Sequence, residues 1–144
     1  MRPVSDPELI RSIFAGPDIW RHVSDDFSGS AENWQPQFVD GAVWLMPEQN
    51  DACFLLHKHR ETIWEVHAAV LPEARERSVE YGKQVIEWMR ANTKCACILS
   101  YVPRGNFAAL ALDRALGFCR VGTLPKCLSC DGRLVEQTLM ALEL

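Results

Sequence analysis

The stretch NFAALALDRALGF, from Asn106 to Phe118, decides the fold that we expect for this chain. Its apolar residues recur at helical spacing between Asn106, a residue type that caps helix N-termini, and Gly117, a residue type that ends helices. The preceding residues 95–102 (CACILSYV) form a nearly continuous apolar run, which is typical of a central strand covered on both faces. The two segments predict a buried strand followed by a helix over residues 106–116.

A hairpin and a long helix are predicted upstream of this strand. Residues 52–59 and 62–70 are largely apolar and are joined by a charged Arg60-Glu61 link, which indicates two antiparallel strands. Residues 73–92 then carry an apolar stripe at helical spacing, formed by Val79, Gly82, Ile86 and Met89.

The two ends of the chain add shorter elements. The N-terminal part predicts helices at 6–15 and 17–23, a polar loop at 24–37 and extended segments at 38–39 and 43–46. The C-terminal part predicts extended structure at 118–121, a turn at 125–132 and a final strand at 133–142.

The composition limits the function classes. A chain of 144 residues without an internal repeat or linker is expected to form a single domain over residues 1–144. Its 19 acidic residues outnumber the 15 Lys and Arg, and the net charge of -4 argues against general binding of nucleic acid or anionic membranes. No apolar run approaches the ~20 residues of a membrane helix and no secretory signal is recognisable, so we expect a cytoplasmic protein.

Two motifs resemble signatures of the GNAT superfamily of N-acyltransferases. The helical segment matches the family's second signature at Asn106, Ala109, Gly117 and Phe118. The run VLPEAR, from Val70 to Arg75, is similar to the strand–helix junction that opens the family's pyrophosphate loop. This resemblance implies an α/β (α+β) fold of the GNAT type, with a mixed, mostly antiparallel central sheet and helices on both faces.

The resemblance also implies an activity, the transfer of an acyl group from acetyl-CoA or a related acyl-CoA to a primary amine by direct attack. The acceptor would be a small-molecule or peptide amine, and a homodimer is left open. In the family, the strand corresponding to residues 62–70 splays from the strand corresponding to 95–102, and the pantetheine arm pairs with the exposed backbone. The pyrophosphate would then meet free N–H groups at the helix after Pro72. The cofactor-binding residues implied are Ala68, Ala69, Val70, Arg75, Arg77, Ser78 and Asn106.

Three residues are candidates for proton transfer. Because side chains alternate across a strand, Glu65 and His67 share the face that should line the substrate cleft, and either could accept the amine proton. Asp113 stands where the family often has a Tyr that protonates the departing thiolate, although an exposed helix pair with Arg114 is the other interpretation. The acceptor pocket of the family is shaped by the region that here holds Trp20 and Trp34.

A second interpretation is a GNAT-fold protein that has lost catalysis. Ser78 and Glu80 replace small residues of the family's pyrophosphate loop, and Asp113 replaces its Tyr. These departures would suit a binding or assembly module, for example in a viral complex.

A third interpretation is a zinc-binding module, because Cys127-x-x-Cys130 has the spacing of half a zinc site. His57, His59 and His67 also lie on neighbouring predicted strands. Their spacing is unspecific and nothing in the sequence makes them converge, so we expect no metal ion.

Overall fold

A computed structural model describes residues 1–144 as a seven-stranded sheet with four α-helices. The strands are Arg2–Pro3 (β1), Ala42–Met46 (β2), Ala52–Arg60 (β3), Ile63–Val70 (β4), Cys97–Pro103 (β5), Cys119–Cys130 (β6) and Arg133–Glu143 (β7). The helices are Pro7–Phe14 (α1), Pro17–Val23 (α2), Ser78–Asn92 (α3) and Phe107–Ala115 (α4), and a 3₁₀ helix at Pro72–Arg77 leads into α3.

The sheet has the order β1-β2-β3-β4-β5-β7-β6. Every neighbouring pair is antiparallel except β4 and β5, which run parallel. The mixed, mostly antiparallel sheet predicted from the sequence is therefore confirmed.

Both faces of the sheet are buried, because successive apolar side chains of a strand point to opposite faces. On one face, residues such as Phe54 and Leu56 pack against Tyr81 and Met89 of α3. On the other face, Cys53 and its neighbours pack against α1 and α2, whose contributing residues are Ile10, Ile13, Phe14 and Ile19. Helices thus cover both faces, as predicted.

Local signals in the sequence form the helix ends. The carboxylate of Asp6 accepts hydrogen bonds from the backbone N–H groups of Glu8 and Leu9, and Asn106 accepts one from Ala109. After α4, Gly117 has a φ of 93°, the left-handed conformation that ends helices. The predicted starts and stops of these helices are correct to within one or two residues.

The longest error in the prediction lies at the C-terminal hairpin. The turn predicted at 125–132 is confined to its last two residues, because β6 continues to Cys130 and pairs with β7 beyond an irregularity between Leu124 and Leu128. The turn itself is Asp131-Gly132, with φ of 52° and 69°, as two-residue hairpin turns require.

Three smaller expectations are also wrong. Phe38 and Val39 lie outside any strand, whereas Arg2–Pro3 pairs with β2. The helix predicted at 73–92 is divided into the 3₁₀ helix and α3. Cys95 precedes β5 instead of lying within it.

No helix in the structure has the length and apolar character that crossing a bilayer demands.

Candidate functional site

The strands β4 and β5 separate after three paired positions. Ile63 pairs with Cys97, Trp64 with Ile98 and Glu65 with Leu99. Beyond them, β5 continues beside β7 as far as Pro103, while β4 continues beside β3. The backbone of residues 66–70 is therefore unpaired on its β5 side, and a cleft of about 430 Å³ opens there. An unpaired strand edge in a cleft offers N–H and C=O groups to a ligand.

Glu65 lies on the α1/α2 side of the cleft between two histidines. Its Oε1 lies 2.9 Å from Nε2 of His67, and its Oε2 lies 2.8 Å from Nε2 of His59. Burial alone would raise the pKa of Glu65, but the hydrogen bonds from His67 and His59 bring that pKa below its usual value. The carboxylate is therefore ionised, so it accepts a hydrogen bond from Nε2 of His59 and attracts Nε2 of His67.

Asp113 lines the same cleft from the α3/α4 side. Asp113 is only 7% exposed, and its Oδ2 has no hydrogen-bond partner. Burial raises the pKa of Asp113, and the neighbouring Ser100 hydroxyl opposes that shift. The interpretation of Asp113 as an exposed helix charge is therefore wrong. A carboxyl group whose charged form is disfavoured can hold and donate a proton.

A second opening of about 490 Å³ extends from this cleft between α2, the end of β4, the start of α3 and α4. Both openings share Ala68 and Asn106 on their walls. Four residues of α4 on this wall have small side chains and leave room along one side. They are Ala108, Ala109, Ala111 and Ala115. The charged or polar residues at the mouth are Arg21, His22, Arg75 and Ser78.

The mouth of this second opening is electropositive. Arg21 and Arg75 both line it. Burial lowers the pKa of His22, and the charges of Arg21 and Arg75 lower that pKa further. Arg21 donates a hydrogen bond to Nε2 of His22 at 3.1 Å. Arg75 and Ser78 are predicted here by the sequence, whereas Arg21 and His22 are not. These two residues belong to α2, and no local pattern indicates that α2 packs beside residues 75–78.

The backbone after Pro72 differs from the expectation. The N–H of Ala74 bonds to the carbonyl of Leu71 at 2.9 Å, and the N–H of Ser78 bonds to the carbonyl of Arg75. These two N–H groups are therefore engaged within the chain and are not free to contribute to the anion site that we predicted. An anion at this place would depend more on side chains.

Arg77 and Glu80 lie outside both openings. The Arg77 guanidinium lies 3.4 Å from the Asp51 carboxylate, 3.7 Å from the Glu80 carboxylate and 4.6 Å from the centre of the Tyr81 ring. Glu80 also accepts a hydrogen bond from Gln84. Glu80 therefore does not carry its negative charge into the cleft, and Arg77 is engaged in contacts of its own.

The remaining predicted residues lie at the periphery. Trp34 packs against Phe14, Trp20 and Trp44, with ring centres 5.9–6.2 Å apart. It also lines a separate opening of about 280 Å³ that reaches His67. Cys127 and Cys130 belong to no group of three metal-ligating side chains, so the structure gives the third interpretation no support.

Solved structures share this arrangement of strands and helices. The structure of smu.2055 from Streptococcus mutans has a TM-score of 0.74 at 14% identity, over 99% of this chain and 97% of that chain. The structure of yncA from Salmonella typhimurium with its cofactor acetyl-CoA has a TM-score of 0.63 at 19% identity, over 72% and 65% of the two chains. A GNAT-family acetyltransferase from Bacillus anthracis has a TM-score of 0.62 at 15% identity, over 72% and 66%. The chain has the GNAT fold, as the two sequence motifs predicted.

The sequence also matches a family model. A sequence model of the family described as "Protein of unknown function (DUF2824)" matches residues 49–143, and the chain belongs to that family. A search of curated proteins found no match.

Proposed function

We propose that residues 1–144 form an N-acyltransferase domain that moves an acetyl group from acetyl-CoA to a primary amine by direct attack. The observation that carries this proposal is the cleft where β4 and β5 separate, because it brings Glu65 and Asp113 to opposite sides of one space. Acyl transfer to an amine needs one group that removes a proton and another that supplies one.

The walls of the two openings fit the cofactor. The unpaired backbone of Ala68, Ala69 and Val70 can bond to the amide groups of a pantetheine arm, and the small residues of α4 leave space beside it. Arg75, Ser78 and Asn106 line the same opening, and Arg21 adds a second cation for the phosphates. When bound, acetyl-CoA supplies an activated acetyl thioester.

Glu65 and His67 would remove the proton of the amine. Glu65 holds the Nε2–H of His67, which leaves Nδ1 of that ring as a proton acceptor. His67 is the more exposed partner, with 44% of its side chain accessible against 13% for Glu65. Glu65 thus orients His67 towards an acceptor that enters from the α1/α2 side, where Trp20 and Trp34 would border it.

Asp113 would supply a proton on the other side of the cleft. Its partnerless Oδ2 lies in a buried site, and this burial raises the pKa of the carboxyl group. The leaving group of this reaction is a thiolate, and a neutral carboxyl group can protonate it. Asp113 therefore replaces the Tyr that the GNAT resemblance would place at this position.

A binding module without catalysis is the second candidate, and one observation favours it. The N–H groups of Ala74 and Ser78 are bonded within the chain, so the phosphates would lose the backbone contacts that anion sites commonly provide. Such a protein would keep the GNAT fold without binding acetyl-CoA.

Calorimetry of acetyl-CoA binding, combined with an assay of thiol release, separates the two candidates. Saturable binding of acetyl-CoA, followed by release of CoA thiol when a panel of primary amines is added, is the result expected for the transferase. Absence of both binding heat and a thermal shift at millimolar acetyl-CoA would support the binding module. The Glu65→Gln variant should bind acetyl-CoA normally but release thiol ~10²–10⁴-fold more slowly.

A further inference from the structure

We infer that His57, His59 and Glu65 form a binding site for a divalent transition metal ion, with Zn²⁺ as the best match. One ligand atom from each of the three side chains lies within 4.8 Å of the other two. The inference does not depend on the acyltransferase proposal, because it concerns how these three side chains are placed and not the reaction in the cleft.

The hairpin of β3 and β4 places the three side chains together. His57 pairs directly with Glu65 across the two strands, and His59 follows two residues later on the same face. The register shifts between Lys58 and Arg60, so His59 lies at an irregularity of the strand. Such irregularities redirect side chains, and here Nε2 of His59 reaches to 2.8 Å from Oε2 of Glu65.

His67 supports the site from the second strand. Its Nε2 lies 2.9 Å from Oε1 of Glu65, the oxygen that does not contact His59. A partner that fixes the second oxygen of a ligating carboxylate orients the first one towards the metal. The proposed site therefore has three ligands and a further residue, His67, that contacts one of those ligands.

An ion can reach this cluster from solvent. The His59 side chain is 39% accessible and lies on the wall of the main cleft, whereas His57 lines the neighbouring opening of about 280 Å³. The two imidazole rings have centres 5.4 Å apart and are inclined by 65°, so both can direct a nitrogen towards the space beside Glu65.

The ligand set selects the type of ion. Two imidazoles and one carboxylate are a common set for zinc sites that keep a fourth position open for water. Calcium and magnesium prefer oxygen ligands, so they are poor matches. Binding through Nε2 of His59 transfers the ring proton to Nδ1, and a metal bond replaces the hydrogen bond between His59 and Glu65.

Zinc titration of the metal-free protein, in competition with a chromophoric chelator, tests the inference. We expect one Zn²⁺ per chain, and an affinity at least ~100-fold lower in each of the His57→Ala and His59→Ala variants. His22→Ala is the matched control, because His22 is the one histidine outside the cluster and its contacts. The double variant Cys127→Ser/Cys130→Ser should also bind zinc normally.

Two results would overturn the inference. One is an absence of saturable zinc binding by the unaltered chain. The other is binding that survives both histidine variants and disappears in the cysteine double variant. Circular dichroism checks the fold of each variant, and the Co²⁺ complex of the unaltered chain gives an independent measurement. Nitrogen and oxygen ligands produce no sulfur-to-cobalt charge-transfer band, whereas a band of that type would place the metal at cysteines.

Discussion

Glu65 and Leu99 are the last residues at which β4 and β5 run side by side. One residue further along β4 the strand edge is free, and two residues further lies His67, whose ring bonds back to Glu65 at 2.9 Å. The position at which pairing stops therefore also places the proposed base.

Replacement of Asp113 by Asn should slow acyl transfer ~10²–10⁴-fold, because an amide cannot protonate a thiolate. Burial raises the pKa of Asp113, so the active protonated form is lost as the pH rises through that raised pKa. The rate of the unaltered protein should therefore decrease on that limb of its pH profile, and the Asn variant should lack the limb. A variant with an unchanged rate and profile would remove Asp113 from the mechanism.

Reversal of charge at Arg75 should weaken acetyl-CoA binding by about 10–100-fold, the range expected for loss of a charged hydrogen bond. Isothermal titration of Arg75→Glu measures this change. Arg90→Glu serves as the control, because Arg90 is an exposed residue at the end of α3, far along the chain from the opening. Equal affinities of the two variants would contradict the proposed phosphate site.

Asp26 joins the loop after α2 to the tip of the C-terminal hairpin. Its carboxylate accepts hydrogen bonds from the Ser129 hydroxyl at 2.7 Å and from the N–H groups of Asp131 and Gly132 at 2.9 and 3.0 Å. The bonds from Ser129 and Gly132 hold the pKa of Asp26 below its usual value. The contact is therefore complete above the usual pKa of an aspartate and is lost as the pH falls through the lowered one.

The Asp26→Ala variant, which has no acceptor oxygen, should lose this contact at neutral pH while its melting temperature changes little. Hydrogen exchange at the amides of Asp131 and Gly132, measured by NMR, should then show lower protection factors. Asp18→Ala, in the exposed first turn of α2, should leave those protection factors unchanged. The same protection in all three proteins would mean that the Asp26 bonds do not order the hairpin tip.

Phe54 is 2% exposed in the core between the sheet and α3. Its replacement by Ala should lower the free energy of unfolding by ~3–5 kcal/mol, since a large cavity would remain. Phe107→Ala is the matched control, because that ring is 77% exposed and should contribute less than ~0.5 kcal/mol. Urea denaturation followed by tryptophan fluorescence compares the two variants.

The sequence predicted those parts of the fold that depend on neighbours in the chain. The Asn106 cap, the stop at Gly117 and the hairpin of β3 and β4 all follow from local chemistry, and the structure contains each of them. The prediction of a turn beginning at Pro125 was wrong, because a proline is typical of turns and loops. The long pairing of β6 with β7 is a tertiary effect that outweighs this local preference.

The site was harder to predict for the same reason. Glu65 and His67 share a face by simple alternation, so their proximity could be predicted from β4 alone. The burial of Asp113 depends on the packing of α4 against the sheet, and the proximity of Arg21 to Arg75 depends on the packing of α2. The position of Arg77 in the motif predicts a phosphate contact, but its ion pair with Asp51 depends on a distant part of the chain.

The 3₁₀ helix at Pro72–Arg77 affects how the affinity for a nucleotide depends on salt concentration. Peptide N–H groups lie at fixed positions, whereas Arg21 and Arg75 carry their charges on long, solvated side chains from two separate segments. Attraction between such charges and phosphates is screened by dissolved ions over about 8 Å at physiological ionic strength. We therefore expect the affinity for a diphosphate to decrease steeply as potassium chloride is added, so that the salt concentration determines the fraction of the protein that has nucleotide bound.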